Sequence, residues 1–319
     1  MWLLLPLSFI YCIVITVRQK LYQLNFKRSY ASQVPVVVIG NIVVGGSGKT
    51  PLLISLCEYL KEKGFNPGVV SRGYGGSVSG VKQVAASDSA TLVGDEPLMV
   101  HRHAAVPVVV GSDRVAAVQY LLSNNHCDVV LSDDGLQHYR MRRDFEIAVV
   151  DSSRRFGNGF CIPAGPLRER TSRLNDVDLV IYNGSEGVSD SDSSYQLQIN
   201  SLQQLNGSEK KSLSAFSATN VHAIAGIGHP ERFFRLLNDH GVDVVEHAYA
   251  DHHDYQQKDF DGWTTECIIM TEKDAVKCQH LSLENAWVLS VDAVFSPSLE
   301  LSLSSQLLPL LSSDVASVQ

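Results

Sequence analysis

A short glycine-rich segment restricts the fold of this chain more than any other part of its sequence. It follows the apolar run at residues 36–39 and precedes a stretch with helical spacing that opens with Pro51. A buried strand, a glycine turn and a helix in this order direct backbone N–H groups and the positive end of the helix at an anion. The pattern predicts a nucleoside triphosphate site formed by Gly45, Gly46, Ser47, Gly48, Lys49 and Thr50.

Two side chains of this segment define how the phosphates are held. Lys49 is expected to reach the β- and γ-phosphates, and the Thr50 hydroxyl is expected to ligate Mg²⁺. The loop is a variant, because Val43 stands where the common P-loop pattern has its first glycine. A glycine turn made only for tight packing is the alternative, but it leaves the adjacent lysine and threonine unexplained.

The overall composition is that of a globular protein without a nucleic-acid partner. With 319 residues, 45% of them hydrophobic, the chain is long enough for one large or two modest domains. The formal charge of -8 argues against nonspecific binding to nucleic acid. The six cysteines include no Cys-x-x-Cys pair, which favours reduced thiols in a cytosolic setting.

The amino terminus carries an apolar segment followed by positive charge. Residues 2–17 are uncharged and mostly apolar, and the cations Arg18 and Lys20 come next. A signal peptide has its charge before the apolar core, so cleavage is not expected. We predict a membrane-associating helix within residues 1–30, which either lies in the bilayer interface or crosses the membrane, with the remaining chain cytoplasmic. A buried amino-terminal core helix is the alternative.

Short apolar runs that alternate with helical segments predict an α/β fold. They indicate a parallel sheet with helices on both faces, here a P-loop NTPase-like domain over residues 31–215. A polar stretch at 183–220 is expected to form a connector or a polar β-ribbon at the end of this domain. Further strands, with helices at 231–238 and around Tyr255, predict a smaller α/β domain over residues 216–319.

Two acidic clusters are candidates for chemistry. Asp133 and Asp134 come directly after a predicted apolar strand, where a P-loop fold presents carboxylates to Mg²⁺. An ordinary Asp-Asp-Gly turn is the alternative. Asp95 and Glu96 open a predicted helix, where N-capping would explain them. A transferred phosphoryl group, however, also needs a carboxylate that orients its acceptor.

A third polar cluster, Asp251-His252-His253-Asp254, follows a predicted strand of the second domain. Neighbouring side chains of an extended segment point in opposite directions, so a complete metal site from this peptide alone is not expected. A helix-capping loop and a histidine that reaches the active site across a cleft both remain open. The arginines that could bind phosphate are Arg72, Arg114 and Arg168.

In their order along the chain, these motifs resemble the tetraacyldisaccharide 4'-kinase family, the lipid A 4'-kinases of Gram-negative bacteria. The resemblance runs almost from end to end, and only the polar connector and the last residues contribute little. The motifs that carry it are Gly40-Asn41-Ile42, the glycine-rich segment with Pro51, Ser71-Arg72-Gly73-Tyr74-Gly75, Gly94-Asp95-Glu96-Pro97, Asp133-Asp134-Gly135-Leu136-Gln137-His138, Pro166-Leu167-Arg168-Glu169, Asp251-His252-His253 and Thr271-Glu272-Lys273-Asp274-Ala275-Val276-Lys277.

The resemblance implies ATP as donor, Mg²⁺ as cofactor, and the 4'-hydroxyl of an acylated glucosamine disaccharide 1-phosphate as acceptor. It implies Asp95 as the general base and His252 as its partner, with His253 as the second choice. Lys49 and Arg168 complete the expected catalytic set. The expected metal ligands are Thr50, Asp133, Asp134 and Glu96.

The same resemblance implies that the protein acts at the cytoplasmic face of the inner membrane, as a peripheral or single-pass membrane protein. Acyl chains would anchor such a substrate in the bilayer. A mechanistic hypothesis follows, in which closure of two domains brings Asp95 and His252 together and excludes water. Two other classes compete: a membrane-associated P-loop nucleotide switch or metallochaperone, and a soluble kinase for a small metabolite.

Overall fold

The computed structural model describes residues 2–217 and 220–315. Within them, thirteen strands belong to one sheet. The strands are β1 Val36–Gly40, β2 Pro67–Ser71, β3 Val81–Gln83, β4 Val108–Gly111, β5 Val129–Asp133, β6 Phe145–Asp151, β7 Leu179–Asn183, β8 Ser194–Gln204, β9 Lys210–Lys211, β10 Val221–Ala225, β11 Val244–Ala248, β12 Ile268–Thr271 and β13 Ala286–Phe295.

The α-helices flank this sheet. They are α1 Leu5–Gln23, α2 Lys49–Glu62, α3 Ala90–Val93, α4 Asp95–Ala104, α5 Arg114–Asn124, α6 Pro230–Asp239, α7 Glu272–Cys278, α8 Pro297–Ser302 and α9 Leu308–Val315. Short 3₁₀ turns occur at Trp2–Leu4, Thr171–Asn175, Leu213–Phe216 and Gln257–Phe260, and a π-helical turn at Leu303–Leu307 joins α8 to α9.

The sheet is mostly parallel, which confirms the predicted α/β class. Its strands lie in the order β11-β10-β12-β13-β8-β7-β6-β1-β5-β2-β4-β3, with β9 paired to β8. Neighbours are parallel except β3 with β4, β8 with β13, and β8 with β9. Because parallel strands end at the same edge, the loops after β1, β2 and β5 lie side by side.

Helices cover both faces of the sheet because alternate residues of a strand face opposite sides. Val37 and Ile39 of β1 belong to a core that includes the apolar faces of α2 and α4. Val36 and Val38 of the same strand belong to a second core, which includes residues of α5. Burial on both sides explains why β1 is a continuous apolar run.

The helix after the glycine-rich segment forms as predicted. α2 begins at Lys49, and its buried Leu53, Leu56 and Leu60 repeat at helical spacing. Gly64 follows its last turn with φ of 87°, a left-handed conformation that glycine adopts without steric cost. The glycine-rich segment is therefore fixed between a buried strand and a buried helix.

The polar stretch at 183–220 forms a β-ribbon, one of the two forms expected for it. β8 pairs with β13 in antiparallel register from Tyr195 to Gln204, and β9 pairs with β8. Of the β8 side chains, Tyr195 and Leu202 are buried. The sheet thus continues through β8 and β13 from one predicted domain to the other.

The division into domains at residues 1–30, 31–215 and 216–319 stays a prediction. Parts of the first and last ranges, at residues 1, 218–219 and 316–319, lie outside the described residues. The helix predicted around Tyr255 is wrong in position. Tyr255 precedes the 3₁₀ turn Gln257–Phe260, which starts where the Gln256 and Asp259 side chains cap each other's backbone.

The amino-terminal segment forms α1, and most of its apolar side chains face outward. Leu7, Phe9, Ile10, Val14 and Val17 are all more than half exposed. A buried core helix is therefore the wrong interpretation. Over residues 2–217 and 220–315, we find no helix with both the length and the apolar content needed to cross a bilayer.

One side of α1 is held by specific contacts. The Ser8 hydroxyl donates to the Cys161 carbonyl at 2.6 Å, and the Tyr11 hydroxyl donates to the Arg168 carbonyl at 3.1 Å. Tyr22 stacks on Tyr139 with ring centroids 6.0 Å apart. The first two contacts attach α1 to the segment that carries Arg168, and the third attaches its last turn to the loop after β5.

An ion pair between α4 and α7 generates a pH-dependent prediction. His103 Nε2 lies 2.9 Å from Glu272 Oε1, and this hydrogen bond raises the pKa of His103 above its ordinary 6.5. Below that value the imidazole is protonated in both the folded and the unfolded chain, and the pair contributes in full. Its contribution is lost as the pH rises through the folded-state pKa.

We expect His103→Gln to lower the free energy of unfolding at about pH 6 by up to about 1 kcal/mol, because the side chain is partly exposed. The loss should be smaller at about pH 9. Denaturant titrations at both values measure it, with the exposed His126→Gln as control. An effect of equal size at both values would contradict the assignment.

Candidate active site

The glycine-rich segment has the backbone of a phosphate-binding loop. Gly48 has φ of 79° and precedes the first residue of α2, so the helix amino terminus opens toward the loop. A Cβ atom at Gly48 would collide with the Asn183 amide and approach the Tyr195 hydroxyl to 2.6 Å. At Gly46, by contrast, no described atom lies within 4 Å of such a Cβ. The loop is packed on one side and open on the other.

Three polar side chains hold this loop. The Asn41 amide donates to the Ser47 hydroxyl at 3.1 Å, and the Asn183 amide donates to the Ser47 carbonyl at 3.2 Å. The Tyr195 hydroxyl donates to the Gly48 carbonyl at 2.7 Å. Sequence reasoning missed Asn183 and Tyr195, because both lie about 140 residues beyond the loop, in or beside a stretch that is polar overall.

Lys49, Asp134 and Arg168 come together beside the loop. Arg168 Nη1 donates to both carboxylate oxygens of Asp134, at 2.8 and 3.0 Å, and Lys49 Nζ lies 3.6 Å from Asp134 Oδ1. Burial by itself would raise the pKa of Asp134, but the charges of Lys49 and Arg168 hold it below its usual value. Asp134 is therefore an ionised carboxylate with two cations in contact.

Asp133, at the end of β5, has a different environment. Its Oδ2 accepts a hydrogen bond from the Ser71 hydroxyl at 3.1 Å. Its Oδ1 is buried, with no hydrogen-bond partner among the described residues. Burial, with the negative charge of Glu96 nearby, raises the pKa of Asp133 to about 6. Lys49 and Arg114 lower this pKa in part, but among the described residues neither forms a salt bridge with the Asp133 carboxylate.

A buried carboxylate oxygen without a partner fits a cation ligand. The described part of the chain contains no group of three or more histidine, cysteine, aspartate or glutamate side chains arranged around a metal position. Mg²⁺, however, commonly takes only one or two carboxylates from the protein and completes its shell with water and phosphate oxygens. Asp133 meets that requirement.

Asp95 and His252 form a hydrogen-bonded pair in which Asp95 is buried and His252 is half-buried. Asp95 is the first residue of α4, and its Oδ2 lies 2.9 Å from His252 Nδ1. The helix N-cap is Gly94, and the Glu96 N–H in the first turn donates to Asp95 Oδ1 at 2.9 Å, so Asp95 satisfies a backbone donor as well as His252. His252 lies in the loop after β11 and has φ of 61°, in the left-handed region. The structure therefore joins two residues that are 157 positions apart.

The two side chains shift each other's pKa in opposite directions. Burial would raise the pKa of Asp95, but the hydrogen bond from His252 and the charge of Lys273 hold it below its usual value. The hydrogen bond to Asp95 raises the pKa of His252 above its usual value. An ionised carboxylate held by an imidazole can accept a proton from a hydroxyl group placed against its free oxygen lone pairs.

His253 does not reach Asp95. Its Nε2 lies 3.1 Å from Asp259, and its ring packs against Tyr249 and Tyr255. Of the two adjacent histidines, the structure therefore selects His252, because consecutive side chains point in different directions.

The remaining predicted arginines have other positions. Arg114 is buried and donates to the backbone carbonyls of Gly111 and Asp133, so it supports the end of β5. Burial lowers its pKa to about 10. Arg72 is exposed in the turn after β2. Only Arg168 makes ionic contact with a predicted site residue.

Lys273 is a site residue that sequence reasoning did not assign. It lies in the first turn of α7, where its Nζ donates to Asp251 Oδ1 at 2.9 Å and to Glu96 Oε1 at 3.2 Å. The same nitrogen is 3.5 Å from His252 Nε2. Burial lowers the pKa of Lys273, but the surrounding carboxylates, Glu96 first, raise it above the usual value.

Comparisons with known proteins identify the family of this chain. A model of the family described as tetraacyldisaccharide-1-P 4'-kinase matches residues 1–308. The tetraacyldisaccharide 4'-kinase of Shewanella sp. (strain W3-18-1) is 47% identical over 309 residues, 96% of this chain and 91% of that protein. That of Coxiella burnetii is 46% identical over 294 residues, 92% of this chain and 86% of that protein.

A solved structure gives the same result for the fold. LpxK from Aquifex aeolicus, crystallised in complex with ATP, superposes with a TM-score of 0.80 at 27% identity, and the match covers 98% of both chains. Fold and site define a P-loop nucleotide-binding protein with a carboxylate–imidazole pair at the same sheet edge. The chain belongs to the tetraacyldisaccharide-1-P 4'-kinase family. The resemblance inferred from the motifs is thereby confirmed.

The contact between Tyr195 and the loop generates a prediction. Tyr195→Phe should leave the partly buried Gly48 carbonyl without the Tyr195 hydroxyl as donor, which costs about 1 kcal/mol and loosens the loop. We expect the dissociation constant for ATP to rise about fivefold in isothermal titration calorimetry. Tyr120→Phe, at a partly exposed position, is the control. Equal affinities of the Tyr195 variant and the parent chain would disprove the role.

Proposed function

We propose that this chain transfers the γ-phosphoryl group of ATP to the 4'-hydroxyl of tetraacyldisaccharide 1-phosphate, a step of lipid A biosynthesis. The observation that carries the proposal is the Asp95–His252 pair at the sheet edge that also bears the phosphate-binding loop. A loop that holds phosphates needs no buried base to act as a switch. A phosphotransferase does, because its acceptor hydroxyl must be oriented and deprotonated.

In this proposal Asp95 accepts the proton of the 4'-hydroxyl, and His252 holds and stabilises the ionised carboxylate. The backbone of Gly45, Gly46, Ser47 and Gly48 surrounds the β- and γ-phosphates. Lys49 pairs with them, and Arg168 places its positive charge where negative charge accumulates in the transition state. These groups position and stabilise the reactants, which is the main contribution that proteins make to phosphoryl transfer.

We propose Mg²⁺ as the resident cofactor. Asp133 is the first ligand candidate, because one of its oxygens is buried without a partner in the described part of the chain. Thr50, Asp134 and Glu96 are the further candidates that line the same region. When bound, the ion would neutralise charge on the phosphate oxygens.

A change between open and closed forms fits the positions of the site residues. Asp95 and Glu96 lie on α4, whereas Asp251, His252 and Lys273 follow strands β11 and β12. A Cβ at Gly228, before α6, would lie 3.2 Å from the Gly46 nitrogen, so this second part of the chain comes close to the phosphate loop. We propose that closure joins Asp95 to His252 and excludes water that would otherwise hydrolyse ATP.

The acceptor site is proposed along α1. A cavity of about 600 Å³ is lined by apolar side chains that include Leu5, Phe9, Phe160 and Leu167. A second cavity of about 340 Å³ shares several of its residues and contains Lys20, Arg168 and Arg170. Acyl chains suit the first and a sugar phosphate suits the second. Arg168 also contacts Asp134, so this groove leads to the phosphate loop.

We propose that α1 docks as a peripheral helix on the cytoplasmic face of the inner membrane. Its exposed apolar side chains suit the acyl boundary, and the cations after residue 17 suit anionic headgroups. A substrate with four acyl chains stays in the bilayer, so an enzyme that phosphorylates its sugar must meet it there.

Radiolabel transfer tests the proposed function directly. The purified chain is incubated with γ-labelled ATP and Mg²⁺, with or without tetraacyldisaccharide 1-phosphate, and the products are separated by thin-layer chromatography. We expect label on the lipid when the acceptor is present. Label released only as inorganic phosphate would favour a nucleotide switch. Label transferred equally well to a deacylated disaccharide would favour a kinase for a small soluble acceptor.

The assignment of Asp95 generates a kinetic prediction. Asp95→Ala should lower kcat by about 10²- to 10⁴-fold, because the general base is lost. The dissociation constant for ATP should change by less than about threefold, since Asp95 makes no contact with the phosphate loop. Single-turnover kinetics and calorimetry measure the two quantities. Lost ATP binding with normal turnover at saturating nucleotide would show the assignment to be wrong.

The proposed docking of α1 generates a second prediction. Ile10→Asp together with Val14→Asp places two charges on its exposed apolar side. We expect co-sedimentation with anionic lipid vesicles to fall at least about tenfold, since each apolar side chain contributes on the order of 1 kcal/mol or more. Leu301→Asp on α8 is the control, because its apolar side chain is also more than half exposed but lies on a different helix. Unchanged sedimentation would remove α1 as the docking surface.

A further inference from the structure

Lys273 occupies a position that helix stability does not explain. It lies in the first turn of α7, where the partial positive charge of the helix end disfavours a cation. Its side chain is only 14% exposed, so the ammonium group has lost most of its water. Burying a charge is costly unless partners replace the water. The partners of Lys273 therefore indicate what the residue does.

Those partners come from two separate segments of the active site. Glu96 follows Asp95 on α4, and its Oε1 lies 3.2 Å from Lys273 Nζ. Asp251 precedes His252 in the loop after β11, and its Oδ1 lies 2.9 Å away. The nitrogen is also 3.5 Å from His252 Nε2. One ammonium group thus connects the neighbour of the proposed base to the neighbour of its histidine.

His252 needs external support to keep its conformation. Its φ of 61° is in the left-handed region, which is unfavourable for a residue with a Cβ atom. Such a conformation persists only where surrounding contacts maintain it. The contacts here are the hydrogen bond to Asp95, the Tyr74 ring with its centroid 5.0 Å away, and the pair between Lys273 and Asp251.

We propose that Lys273 is a positioning residue for phosphoryl transfer, whose ammonium ties Asp251 to Glu96 and so keeps His252 Nδ1 on the Asp95 carboxylate. The inference rests on the proposed function. The inference adds to the proposed function a residue that need not touch ATP or the acceptor. Without this tie, Asp251 keeps only its 3.8 Å contact with His252 Nε2, the loop relaxes toward a less strained backbone, and the imidazole leaves Asp95.

A purely structural ion pair is the competing interpretation. Lys273 would then only join α7 to α4, and its loss would reduce stability without a specific effect on the chemical step. The two interpretations differ in which kinetic constant changes and in whether the effect depends on His252. Both differences can be measured.

The first experiment compares Lys273→Met with Lys273→Arg in steady-state assays with ATP and tetraacyldisaccharide 1-phosphate. We expect Lys273→Met to lower kcat about 10- to 100-fold, as a displaced catalytic group does, while the KM for ATP changes less than about threefold. Lys273→Arg keeps the charge and reach, and should recover to within about fivefold of the parent. Lys82→Met removes a lysine paired with Asp88 outside the site and should leave kcat unchanged.

The second experiment is a double-mutant cycle with His252→Ala. If Lys273 acts through His252, Lys273→Met should lower kcat less than about threefold in the His252→Ala background. Full additivity of the two losses would overturn the proposal, because it would mean that Lys273 works independently of the imidazole. Failure of arginine to restore activity in a folded protein would overturn it as well.

Asp251→Asn removes one end of the tie and keeps the Lys273 side chain in place. Asp251 is about one-third exposed, so the substitution is expected to fold. It should reproduce the loss in kcat, and combination with Lys273→Met should add little. Parent-level turnover of Asp251→Asn would refute the tie. Absence of lipid phosphorylation by the parent chain would instead refute the proposed function, so the two failures are distinguishable.

Discussion

The site depends on one constraint: parallel strands β1, β2 and β5 end at the same edge of the sheet. The phosphate-binding loop follows β1, the turn that carries Tyr74 follows β2, and Asp133 ends β5. A parallel sheet covered by helices on both faces cannot bury these polar groups elsewhere, so they meet at that edge. The loop then keeps its shape because Asn183 and Tyr195 hold its carbonyl groups from the adjoining part of the sheet.

Charge compensation divides the site into two parts. Lys49 and Arg168 contact Asp134 beside the phosphate loop, whereas Lys273 contacts Glu96 and Asp251 beside the Asp95–His252 pair. Among the described residues no cation forms a salt bridge with the Asp133 carboxylate, and its pKa is raised by burial and by the nearby charge of Glu96. The two cationic groups therefore stabilise ionised carboxylates without occupying the oxygen that fits a metal ion. In the proposed function, the groups that bind the phosphoryl donor and the groups that act on its acceptor would therefore lie on either side of Asp133.

The amino-terminal helix is connected to this arrangement through Arg168. Tyr11 of α1 donates to the backbone carbonyl of Arg168, while the Arg168 guanidinium contacts Asp134. A surface helix with exposed apolar residues is thus attached to the segment that supplies a cation to the site. In the proposed function, this attachment fixes the orientation of the phosphate loop relative to a lipid surface.

The sequence by itself determined the elements whose signals are local. The apolar run of β1, the glycines, Lys49 and the leucine spacing of α2 predict strand, loop and helix within thirty residues, and the family resemblance followed from short motifs. Only the tertiary structure decided that His252 and not His253 meets Asp95, that Lys273 joins Glu96 to Asp251, and that Tyr195 in a polar ribbon supports the loop. These contacts join residues far apart in sequence or depend on which way a side chain points, and local periodicity carries no information about either.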